Sequence, residues 1–151
     1  MSMRRTVVVM ILGLVLCTPA EARTRQSWAR QANAICAREY TKIDAAVNDA
    51  TSNPPTTVAA WARWVDRMLA PMNRMRRDLA ALQTPEPDRR SIGRALSLLD
   101  RAISEVRLAR KAMAARDFNA YTRHMQRGTA AGRQADAIFT HLGAKACAST
   151  S

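Results

Sequence analysis

Acidic side chains are scarce in this sequence. Aspartate and glutamate together number 12, against 24 lysines and arginines, for a formal net charge of +12. The acids are scattered and no Glu-x-x-His pair occurs, which excludes the ligand set of a di-iron carboxylate bundle. There are two histidines, His124 and His141. On one helix they lie about 26 Å apart, so they cannot share a metal. The five glycines are isolated, so no phosphate-cradling loop is present. A c-type haem needs C-x-x-C-H, which is absent. No serine sits in a nucleophile elbow with a base and an orienting group beside it. Strand-like alternation, internal repeats and low-complexity tracts are all missing. These absences point away from an enzyme and toward a helical binding or scaffolding domain with no resident cofactor.

What is present begins with a targeting pattern. Arg4 and Arg5 precede the apolar run Val7–Cys17, and "TPAEA" follows, with Ala20 and Ala22 in A-x-A register. A charged start, a short apolar run and a small-residue exit predict a secretory signal peptide over residues 1–22. The run falls short of the roughly 18 apolar residues that span a bilayer, so no transmembrane segment is expected after cleavage. Cys17 follows aliphatic residues, but bulky Leu16 stands where a lipidation site takes a small one. The remaining domain, residues 23–151, is expected in the cell envelope or outside the cell. It is long enough for one real core.

Four helices are predicted in that domain. The first carries Trp28, Ala32, Ile35, Cys36, Tyr40, Ile43 and Val47 at spacings of three and four. Pro54 and Pro55 stop it, and Thr56 or Thr57 can cap the next. The second has Val58, Trp61, Val65, Met68, Met72, Met75, Leu79 and Leu82 on one seam. Pro71 falls within it and predicts a kink near residues 67–70. The third starts at Asp88 or Ser91 and buries Ile92, Leu96, Leu99, Ile103, Val106 and Met113. The fourth, capped by Asp117, reads Phe118, Tyr121, Met125, Gly128, Gly132, Ala135, Phe139 and Leu142. Two glycines on a buried seam each cost about 1 kcal/mol against alanine. A closely approaching helix, or the large side chains of Trp61 and Trp64, should compensate. Gly143 stands where a left-handed helix cap belongs. Short linkers make successive helices antiparallel, so the expected fold is all-α, an up-down-up-down four-helix bundle.

The domain holds two cysteines, Cys36 and Cys147, and an even pair in an exported chain reads as a disulfide. In this topology the start of the first helix and the end of the fourth share one end of the bundle. Cys36 lies about 18 Å along its helix. The four residues after Gly143 span about 13 Å, so the tail must fold back along the first helix or that helix must overhang.

The stretches "WARQANAICAREYTKI" and "FTHLGAKACA" resemble a group of uncharacterised exported helical proteins of actinobacteria. In these an A-x-x-I-C on the first helix and a terminal L-G-x-x-x-C bracket an alanine-rich four-helix domain. The resemblance implies the bundle and the Cys36–Cys147 pairing, and it implies no activity.

Candidate sites follow from the bundle. Arg74, Arg76, Arg77, Arg89, Arg90 and Arg94 flank the turn between the second and third helices. They are expected to make the end opposite the disulfide basic, a surface for an anionic envelope partner such as lipid, wall polymer or acidic protein. A simpler account of the arginines is a set of solvated helix faces. Export argues against nucleic acid as the partner. A periplasmic-type chaperone is the alternative, and it requires outward-facing apolar residues such as Trp64 or Leu69. Met68, Met72 and Met75 form a thioether ladder suited to Cu(I), with His124 and Met125 as further ligands. His124 with a methionine could also hold a b-type haem. Because the ladder falls on the seam, core packing explains it more simply.

Overall fold

The computed structural model describes residues 24–148; the signal segment expected over residues 1–22, Cys17 included, lies outside them. Among the described residues the chain forms four α-helices: α1 Arg25–Ser52, α2 Val58–Ala81, α3 Arg89–Ala114 and α4 Phe118–His141. Short 3-10 turns occupy Glu86–Asp88 and Lys145–Cys147. The helices pack as an up-down-up-down bundle.

Local chemistry sets the helix limits. Thr24 Oγ1 accepts from the Ser27 amide at 3.1 Å, and Thr57 Oγ1 from Ala60 at 3.1 Å. Asp117 Oδ1 accepts from Ala120 at 2.8 Å. Each satisfies an amide that has no partner within its helix. Asp88 does not act this way. It directly precedes α3, but its buried carboxylate accepts from Arg25 Nε at 3.0 Å and Nη2 at 2.6 Å. α2 runs unbroken through buried Pro71, and the Asn73 side chain donates to the Leu69 carbonyl at 2.6 Å.

α3 and α4 end alike. After α4, Gly143 is left-handed at φ 84°; its amide bonds Thr140 O at 3.0 Å, and the Ala144 amide bonds Phe139 O at 2.8 Å. After α3, Arg116 takes φ 58°, with Arg116 N to Met113 O at 3.0 Å and Asp117 N to Ala112 O at 2.9 Å. Both are Schellman closures. An arginine there carries the left-handed cost, about 1–2 kcal/mol, that glycine avoids.

The tail folds back along α1. Asn33 clamps it from both sides, donating to Gly143 O at 3.1 Å and accepting from the Ala146 amide at 2.8 Å. Tyr40 donates to Cys147 O at 3.2 Å. Cys147 then bonds Cys36, with Cα atoms 4.9 Å apart.

The core has two parts. One lies at the disulfide end and includes Trp28, Leu79, Ile92, Leu99, Phe139 and Leu142, with Trp28 stacked on Phe139 at 6.4 Å between ring centres. The other gathers Val65, Leu69 and Ile103 under Trp61, Trp64, Met72 and Val106. α3 and α4 are the most intimate pair. Ala95, Ala102 and Ala109 of α3 and Gly128 and Ala135 of α4 are all buried, and small residues let backbones approach.

The Arg25–Asp88 contact corrects one expectation. The turn between α2 and α3 lies beside the start of α1, and therefore at the disulfide end. Two antiparallel crossings return the chain to the end from which it began.

Candidate functional site

The two core parts do not close completely on one another. Between them is a cavity of about 450 Å³, lined from all four helices. Tyr40 and Ile43 come from α1, and Met68, Met72 and Met75 from α2. Leu99, Ala102 and Val106 come from α3. α4 supplies Gly128, Thr129, Gly132, Arg133 and Asp136. The walls are mainly apolar, with the charged groups Arg133 and Asp136 on α4 and the Tyr40 phenol on α1. Both size and lining suit a small-molecule site, for which the usual range is roughly 300–1,000 Å³.

Heptad spacing puts the three methionines on one face of α2, and their flexible thioethers adapt to irregular space. Tyr40 spans the cavity wall and the clasped tail. Burial pushes its phenol up to about 12, and the nearby Asp136 and Asp44 push the same way. It is therefore neutral over the physiological range and keeps the proton that it donates to Cys147 O.

The two seam glycines differ. A Cβ at Gly128 would meet Glu105 Cβ at 3.3 Å and Ala102 O at 3.5 Å, so this glycine admits α3. A Cβ at Gly132 would meet nothing within 4 Å. Its missing side chain leaves space in the cavity. The expectation that Trp61 or Trp64 covers the glycines is not met: Trp61 packs edge-on to Tyr121 at 5.4 Å, and Trp64 donates its indole N–H to Ala46 O at 2.9 Å.

The structure separates the proposed copper or haem ligands. Met68, Met72 and Met75 line the cavity, whereas His124 Nδ1 lies 2.7 Å from Glu105 Oε2 and is not among the lining residues. Met125 does not line the cavity but borders an adjoining depression with Tyr121 and Gln126, which shares Thr129 and Arg133 with it. Among the described residues no group of three or more His, Cys, Asp and Glu is placed to hold a metal.

The arginines near the α2–α3 turn are mostly engaged. Arg74 Nε reaches Glu39 Oε2 at 3.1 Å, Arg76 reaches Asp100 at 2.6 Å, and Arg77 reaches Asp78 at 3.3 Å. Arg89 pairs with Glu86. Arg90 and Arg94 are exposed on the first turns of α3 without an ion pair among the described residues. Two free cations remain of the six.

Glu39 is the residue that sequence reasoning missed. It is 1% exposed and accepts from Arg38 at 2.8 Å, Lys42 at 2.9 Å and Arg74 at 3.1 Å. Burial pushes its carboxyl up; the hydrogen bonds from Arg38, Lys42 and Arg74 outweigh that and hold it down at about 2. The signal was its place, three residues after Cys36 on the buried face of α1.

No protein-family model, curated protein or solved structure matches the chain.

Proposed function

We propose that this protein is a non-catalytic binding module of the cell envelope, and that its methionine-lined cavity receives an apolar small molecule. One observation carries the reading: a mainly apolar space framed by all four helices, with open room where a Gly132 side chain would stand. A glycine inside a helix costs about 1 kcal/mol against alanine. Close helix approach accounts for that at Gly128 but not at Gly132.

The envelope location is supported by the residues 1–22 pattern and by Cys36–Cys147, since such bonds persist in oxidising compartments. No helix among the described residues is long and apolar enough to cross a membrane. The two residues named for the chaperone reading do not face outward: Leu69 is buried, and Trp64 is half-buried with its N–H bonded.

The test is solvent extraction of protein recovered as exported, with the released molecules identified by mass spectrometry. Wild type should release an apolar species that Gly132→Leu does not carry. Identical extracts from the two proteins would overturn the proposal.

A further inference from the structure

The two ends of the bundle differ in how they treat apolar side chains. At the disulfide end Trp28, Leu79, Ile92, Phe139 and Leu142 are at most 2% exposed. The large apolar residues left exposed among the described residues are Val47, Val58, Leu108 and Phe118, the last at 61%. Each comes from a different helix. By helix rise, all four lie within about 9 Å of the opposite end.

Behind this apolar rim stands an aromatic trio. Trp61 is 5.4 Å from Tyr121 and 6.4 Å from Trp64 between ring centres, and all three rings are half-buried. The charge of this end is unbalanced. Asp49, Asp66 and Glu105 are held by Arg67, Arg110 and His124, and Asp117 caps α4. Asp44, about 12 Å from this end, is the one exposed acid here without an ion pair among the described residues, against five such cations. Arg63, Lys111, Arg116, Arg123 and Arg127 are exposed and have no ion pair among the described residues. They lie within about 14 Å of the same end.

We propose that this end docks on an anionic lipid bilayer. Phe118 and Val58 enter the acyl boundary, and the free cations meet lipid phosphates. Tryptophan and tyrosine are the side chains that favour the level between those two layers. The pairing of exposed apolar groups with free cations matches an amphiphilic surface with an apolar interior beneath an anionic face. It does not suit a second copy of the chain, because two such ends would bring like charges together. A soluble polyanion would leave the apolar rim without a partner. The inference is independent of the cavity and stands whether or not the cavity is filled.

The test is fluorescence of the exported protein with phosphatidylglycerol vesicles brominated in the acyl chains. The chain has three tryptophans. Trp28→Phe leaves reporters only at the docking end, and it breaks no hydrogen bond, because the Trp28 N–H has no partner. The reporters should be quenched, and high salt should reverse the quenching. A Trp61→Phe, Trp64→Phe protein, reporting from Trp28, should not be quenched. Phe118→Glu should weaken vesicle binding about tenfold. Glutamate suits the first turn of a helix, so this variant should fold. Arg116→Gly should weaken binding about fivefold, from the loss of one cation near the surface. It should at the same time raise the melting temperature by relieving the left-handed arginine, so a folding defect cannot explain the loss. Quenching of Trp28 equal to that of the distal pair would overturn the proposal. So would unchanged affinity in Phe118→Glu, equal binding to phosphatidylcholine, or dimerisation through this end without vesicle binding.

Discussion

One buried carboxylate gathers three cations between α1 and α2. Glu39 lies under Arg38, Lys42 and Arg74, and its folded value of about 2 is below the ordinary 4.5. A group depressed in the folded state binds its proton less readily than in the unfolded chain. Its contribution to stability is therefore complete above about pH 4.5 and is lost as pH falls toward 2. Glu39→Gln should destabilise the protein by about 1–3 kcal/mol at pH 7, since three charge-assisted hydrogen bonds weaken. Urea midpoints at pH 7 and pH 3 should converge between variant and wild type as the acid end is approached. A constant gap would show that the loss is packing and not charge. Glu39 was hard to read from sequence because an acid on an apolar face is costly unless its partners are known. One partner, Arg74, is 35 positions away on another helix.

Among the helices, the seams were legible because the spacing of three and four is itself the geometry of a buried face. The caps at Thr57 and Asp117 and the turn at Gly143 were legible because each rests on one residue's own chemistry. The two seam glycines looked alike, because their difference lies in the neighbouring helix. Gly132→Ala should raise stability by about 0.5–1 kcal/mol, as the helix gains propensity and the new methyl meets open space. Gly128→Ala should fail to gain, because its methyl presses on Glu105 Cβ. Thermal unfolding of the two variants side by side checks this. Equal gains would show that α3 yields freely at Gly128 and that close approach is not the reason for the glycine.

For the molecule as a whole, the disulfide ties the two ends of the described chain across a separation of 111 residues. Loop-entropy reasoning assigns such a bond about 4–5 kcal/mol, and removing a native disulfide typically costs about 2–5 kcal/mol. A Cys36→Ser, Cys147→Ser protein should lose that much in urea titration and should match reduced wild type. It should keep its helical content, because Asn33 and Tyr40 still hold the tail. The bundle and this pairing were readable from four apolar seams and one cysteine pair. The cavity was not, because it arises where two core clusters fail to meet, and no single helix records that. The basic turn was assigned to the wrong end for a topological reason, and most of its charge proved to be spent within the fold.

The cavity is tested most directly by titrating the exported protein with an apolar fluorescent naphthylamine. Wild type should bind it saturably at one site. Gly132→Leu, whose side chain enters that space, should melt higher and bind at least about tenfold more weakly. Equal binding by the two proteins, with the larger side chain accommodated, would contradict the assignment of this cavity as a ligand site.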